Sequence, residues 1–116
     1  MKKEMIIGID MGGTQVRAGI VKDGRISNII SQQINAKGST EEVLQELYNI
    51  TEQLMSKEIK GIGIGFPGLT SNGFAYDVYN IPSWKEVPLQ RLLEQRFNIP
   101  VLINNDGRKF TAGKFP

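Results

Sequence analysis

Asp10 precedes the run Gly12-Gly13-Thr14, and apolar segments that read as strands flank it on both sides. A turn of this kind suits phosphate. Glycines let an anion approach backbone N–H groups closely and let the chain take positive φ. Asp10 could hold Mg²⁺ directly or through water, and the Thr14 hydroxyl adds a donor. Taken alone, the same residues are equally an ordinary glycine hairpin in which Asp10 satisfies the turn's own N–H groups. A second polar cluster, Asn104-Asn105-Asp106-Gly107, follows the last apolar run, and by itself it is better read as a strand-ending turn with Asx hydrogen bonds than as a catalytic site. The chain has no His and no Cys, so disulfides, thiolates, imidazole bases and ordinary zinc sites are excluded within it. Acid–base work falls to carboxylates.

The elements that must position these residues are legible from periodicity and capping. Strands are expected at 4–10, 15–22 and 25–35, with Asp23-Gly24 as a two-residue turn joining the last two. Ser39 and Glu42 form a capping-box pattern. After it Val43, Leu47, Ile50 and Leu54 recur at helical spacing, widened by Leu44, Tyr48 and Met55, which predicts a helix from about 40 to 57. Residues 60–66 read as a short apolar strand, followed by a glycine-rich, aromatic loop to about 86. Pro88 opens a second helix bearing Leu89, Leu92, Leu93 and Phe97, Asn98 to Pro100 ends it, and Val101-Leu102-Ile103 is the last strand. The order βββαβαβ predicts a mixed five-stranded α/β sheet with two crossover helices.

Composition narrows the classes further. At 116 residues the chain is one compact domain, small for an enzyme that must enclose two substrates. Its 14 Lys and Arg against 12 Asp and Glu give a net charge of +2 with no basic stripe, which does not point to nucleic acid. Glu4 and Asp10 interrupt the first apolar stretch, so neither a secretory signal nor a membrane span is expected, and the reading is cytoplasmic. Asn49-Ile50-Thr51 is then a chance glycosylation match. Lys109 and Lys114 read as solvated lysines. Gly63-Ile64-Gly65-Phe66-Pro67-Gly68 fits G-x-G-x-x-G, yet Leu69-Thr70-Ser71-Asn72-Gly73-Phe74 cannot open the helix that a dinucleotide turn needs. Close strand–helix packing and a rigid Pro67-Gly68 turn are the better reading.

Four stretches in this order resemble the ROK family of sugar kinases and repressors: Asp10 to Thr14, Gly61 to Gly68, Asn80 to Trp84 ahead of Val87-Pro88-Leu89, and Asn105-Asp106. The resemblance runs along essentially the whole chain. It implies an actin-like, ribonuclease-H-like ATPase fold, with this chain as its N-terminal lobe and the C-terminal lobe absent. It also implies ATP- and Mg²⁺-dependent phosphorylation of a hexose or amino sugar. On that resemblance Asp106 is the general base, a role a positioned carboxylate fills with roughly 10²–10⁴ in rate. Gly68, Asn80, Asn105 and Asp106 would bind the sugar, and Asp10, Gly12, Gly13 and Thr14 would take the phosphates and metal. Trp84 is more simply a structural wedge, and both Trp84 and Tyr79 are open to being core beneath the loop.

The sequence departs from the family at Gln15, where a Lys is common, at Asn104, where Glu is frequent, and at Gly107-Arg108 in place of Ala-Asn. The resemblance leaves the adenine pocket, the other phosphate loop and further sugar-binding residues to a second lobe, so the chain by itself is expected to lack useful kinase activity. The alternatives are the sugar-binding module of a ROK-type regulator, disfavoured because the first strand begins within a few residues of Met1, and a non-catalytic sugar-binding or assembly domain. A homodimer is the assembly to test.

Overall fold

A computed structural model of the chain describes residues 4–12, 14–105 and 110. The elements are β1 (Met5–Gly12), β2 (Gln15–Lys22), β3 (Arg25–Gln33), α1 (Thr40–Leu54), β4 (Ile59–Gly65), β5 (Leu69–Ser71), β6 (Phe74–Tyr76), β7 (Glu86–Val87), α2 (Leu89–Phe97) and β8 (Val101–Asn104). The main sheet has five strands in the order β3-β2-β1-β4-β8. The first three form the expected antiparallel meander, while β4 runs parallel to β1 and β8 parallel to β4.

Local chemistry accounts for the joints. Asp23 and Gly24 both take positive φ, 54° and 72°, as a two-residue hairpin turn matched to strand twist requires. In α1 the Ser39 hydroxyl accepts from the Glu42 N–H at 3.2 Å, and the Glu42 carboxylate accepts from the Ser39 N–H at 3.0 Å. The Ser39 N–H, and to a lesser degree the Ser39 hydroxyl, hold the Glu42 carboxyl below the ordinary carboxylate range. The helix stops at Leu54, three residues before the expected end. Met55 is extended, and the Ile59 N–H bonds the Ser56 carbonyl at 3.2 Å to turn the chain into β4. Thr51, the acceptor-motif residue of the chance sequon, is buried in α1 with its hydroxyl donating to the Leu47 carbonyl. Asn98 closes α2 in the left-handed region, its N–H on the Glu94 carbonyl.

Ile7, Ile9 and Met11 of β1, Val16 and Ala18 of β2, and Ile62 and Ile64 of β4 are buried in one core with Val43, Leu47 and Ile50 of α1 and Leu89 and Leu93 of α2. Both helices therefore cover the same face of the sheet. Tyr48 of α1 meets Phe97 of α2 edge-on at 6.2 Å, and Arg96 reaches over the Tyr48 ring to Glu52 at 2.6 Å. Partial burial raises the Tyr48 hydroxyl pKa against the lowering effect of Arg96.

The stretch expected to be a loop after β4 holds a second sheet of three strands, order β5-β6-β7. Its strands are two or three residues long, too short for alternation to register. Asn72 and Gly73, at φ 51° and 82°, make the tight turn between β5 and β6. The G-x-G-x-x-G run is followed by β5 and not by a helix. On the opposite face of the main sheet Gly63 contacts Phe110 so closely that a methyl group there would overlap the ring, which bears out close packing as the reason for glycine at this position. A bulge interrupts the β2–β3 ladder, where Asn28, at φ 54°, and Ile29 together oppose Gly19.

Candidate active site

Strand register assembles the first half of the site. Ser31, Arg17, Asp10, Gly65 and Asn104 are paired in turn from β3 across to β8, one row through all five strands. Directly paired residues present their side chains on the same face. Ile9, Met11, Val16 and Ile64 are buried toward the helices, so the alternating row lies on the other face. It stands at the carboxyl ends of the parallel strands β1, β4 and β8, where open α/β sheets bind ligands. At about 4.8 Å per strand, the backbones of Asp10 and Asn104 are about 10 Å apart, with the bare Gly65 between them.

Asp10, Gly12, Gln15 and Arg17 line a cleft of about 210 Å³. Gly12 is the last residue of β1 and is not in the left-handed region. A Cβ there would meet nothing within 4 Å. The expectation of positive φ thus fails at Gly12, where glycine instead leaves the strand end bare to an approaching anion. Thr14 is exposed, and its carbonyl accepts from the Ile34 N–H at 2.8 Å, fixing the turn to the end of β3. Gln15 donates from Nε2 to the Ser31 hydroxyl at 2.6 Å. Gly13 lies outside the described residues.

The cleft fits phosphate and Mg²⁺ in the manner of a shared site. Among the described residues no three Asp, Glu, His or Cys side chains come together to cage a metal. Mg²⁺ keeps several waters and is commonly bound by one or two carboxylates plus phosphate oxygens, which a single Asp10 can satisfy.

The second half is built by the loop between β6 and β7. It closes on itself, with the Asp77 N–H on the Lys85 carbonyl at 3.1 Å, Val78 N–H on Trp84 at 3.1 Å and Trp84 N–H on Ile81 at 2.9 Å, so that Asn80 sits at its tip. Trp84 is fully buried, as the wedge reading has it, and its ring N–H reaches the Thr40 carbonyl at 3.5 Å. The Thr40 hydroxyl donates to the Ser83 carbonyl at 3.0 Å, pinning the loop to the start of α1. Tyr79 is 89% exposed, which removes it from the core. Its N–H donates to the Pro67 carbonyl at 2.7 Å, joining the Pro67-Gly68 turn to the residue beside Asn80. Gly68 is pressed onto this loop: a Cβ would lie 2.9 Å from the Tyr76 carbonyl oxygen and 3.1 Å from the Val78 Cα. The structure therefore brings Gly68 and Asn80 together.

Asn105 is exposed immediately after β8. The strand is firmly held, since the Phe66 N–H bonds the Asn104 carbonyl at 3.1 Å, Gln90 donates to the Val101 carbonyl at 2.6 Å, and Glu94 accepts from the Val101 N–H at 3.1 Å. Asp106, Gly107, Arg108, Lys109 and Lys114 lie outside the described residues. Arg17 is the residue that the sequence reading did not single out. A two-residue turn at positions 13 and 14 pairs residues whose numbers sum to 27, and that count alone puts Arg17 opposite Asp10.

The sequence pattern of the ROK family matches residues 6–115. Over 98% of its length the chain is 32% identical to a glucokinase from Thermotoga maritima, covering 37% of that protein. It is 31% identical over 94% of its length to a xylose repressor from Caldicellulosiruptor bescii, covering 29% of it. The fold matches a ROK family glucokinase from Streptomyces griseus, solved in complex with glucose and AMPPNP, with a TM-score of 0.78 and 25% identity over 96% of this chain and 38% of that one. The chain thus spans about a third of the length of these relatives.

Proposed function

This chain belongs to the ROK family and has the α/β fold of an actin-like ATPase lobe, and we propose that it is the N-terminal lobe of an ATP-dependent hexose or amino-sugar kinase. The observation that carries the reading is the convergence, at one end of the sheet, of a cleft with a carboxylate and bare backbone and of a polar loop tied to a glycine turn. Phosphates would lie on Gly12, Gly13 and Thr14. Asp10 would hold Mg²⁺ through water, and the ion, bound with ATP, neutralises phosphate charge. Gly68 lets its turn pack directly on the loop that carries Asn80, and Asn80 and Asn105 would offer amide groups to the sugar hydroxyls. Asp106, next to Asn105, would accept the proton of the attacking hydroxyl. The rest of the catalytic work is positioning and charge neutralisation, and the adenine pocket would come from a second lobe. Alone, the 116 residues are an incomplete active site with no useful turnover.

The match to a xylose repressor favours a second reading, a sugar-sensing module of a regulator. One experiment separates the two. Backbone amide shifts of the labelled chain would be followed by NMR during titration with a panel of hexoses and amino sugars, and then with Mg-ATP. Saturable sugar shifts at Gly68, Asn80 and Asn105, with Mg-ATP shifts at Gly12 and Gln15, are expected. A sugar response with no nucleotide response would favour the regulator. No sugar response from a well-dispersed spectrum would overturn both readings.

A further inference from the structure

We propose that Arg17 is the phosphate-binding cation of this lobe, replacing the charge that Gln15 does not supply. The inference rests on the kinase reading for its ligand and on geometry for its residue. Arg17 is paired directly with Asp10 across the β1–β2 ladder and lines the same 210 Å³ cleft as Asp10, Gly12 and Gln15. It is the one cation lining that cleft among the described residues. Gln15 is neutral, and its side-chain amide is engaged with Ser31.

Among the side chains that line the cleft, a cation also suits a phosphate ligand. With Asp10 as the sole charged side chain, the cleft would repel polyphosphate until a metal arrived. Arg17 neutralises that carboxylate, so bare N–H groups and a divalent ion can act on the phosphate without opposition. Position also favours the guanidinium. Arg17 stands two residues beyond Gln15 on the same strand, on the same face. It is half-buried and lines the cleft. The planar fork can bond two phosphate oxygens at once and stays charged at every physiological pH. The neighbouring row position on β4 is Gly65, which adds no side chain of its own beside Asp10. The ligand class is therefore a di- or triphosphate, and a single phosphate would engage only part of the cleft.

The test uses the 116-residue chain with magnesium pyrophosphate and inorganic phosphate as probes, read by NMR titration at fixed ionic strength. The wild type should show saturable shifts at Gly12, Gln15 and Arg17, stronger with pyrophosphate. Arg17→Ala should weaken pyrophosphate binding at least about tenfold. Arg17→Lys should fall between, since it keeps charge and loses the fork. Adding Gln15→Lys to Arg17→Ala should restore part of the affinity, a rescue that a purely structural role of Arg17 would not produce. If Arg17→Ala does not give a dispersed spectrum, Arg17→Lys and Arg17→Gln decide the matter by the same titration. Wild-type affinity in these variants, or no saturable response in the wild type, overturns the proposal. Sugar shifts at Gly68 and Asn80 report separately on the kinase reading, so the two can fail independently.

Discussion

Gly68→Ala should destabilise the lobe and weaken its response to sugar through one cause, the separation of the Pro67-Gly68 turn from the loop that carries Asn80. A methyl group at position 68 would stand 2.9 Å from the Tyr76 carbonyl oxygen, 3.1 Å from the Val78 Cα and 3.2 Å from the Phe66 ring. Two of these three are backbone atoms that cannot rotate away. Overpacking of this kind costs about 1–3 kcal/mol. The loop can relieve it only by retreating, which strains or breaks the 2.7 Å Tyr79–Pro67 hydrogen bond, worth about 1 kcal/mol. Against this, Gly→Ala removes unfolded-state freedom, a gain of about 0.4–1 kcal/mol where the backbone is compatible; Gly68 is not among the positive-φ residues, so that gain applies. The net is a loss of about 2 kcal/mol, and at about 4 °C per kcal/mol for a domain of this size the thermal midpoint should fall by about 8 °C. Thermal unfolding followed by circular dichroism gives the shift, and sugar titration gives the second readout. A variant that melts within about 1 °C of wild type and binds sugar unchanged would refute the argument that contact between turn and loop shapes the sugar end.

Two other perturbations separate site chemistry from scaffold. Gly12→Ala meets no atom within 4 Å and needs no unusual φ, so its unfolding midpoint should stay at or slightly above wild type while pyrophosphate binding weakens; equal binding would show that bare backbone at Gly12 is not used. Because the folded-state pKa of Glu42 is depressed, its contribution is fully present at neutral pH and is lost as acidification passes from the ordinary carboxylate value down through the folded one; Glu42→Gln should lose less stability than wild type between pH 7 and pH 3, and parallel melting curves would contradict the assignment.

Sequence legibility followed the range of each interaction. The capping box, the Asp23-Gly24 turn and the apolar stripe of α1 depend on residues within a few positions of one another, so propensity and periodicity expose them directly. The small β5–β7 sheet does not announce itself, because its ladders depend on closure of the loop around the buried Trp84 and not on any pattern within two or three residues. Tyr79 illustrates a similar difficulty: an aromatic among buried neighbours reads as core, yet its backbone bond to Pro67 places the side chain outside. The Gly12-Gly13-Thr14 turn was visible as a motif, whereas the placing of Arg17 opposite Asp10 depends on counting register across the turn. The same is true of the row from Ser31 to Asn104, which spans strands far apart in the chain.

The bulge at Asn28 bears on how this sheet behaves beside copies of itself. β3 is an outer strand with nine residues, long enough to template another chain, and Ile29 is exposed upon it. The left-handed Asn28 turns the peptide groups out of line midway, so an incoming strand could pair with only a few residues before losing step. The other outer strand, β8, has only four residues. Both borders therefore resist continuous ladder growth, and concentrated preparations should be slow to form fibrils even though, among the described residues, no further strand pairs with either border.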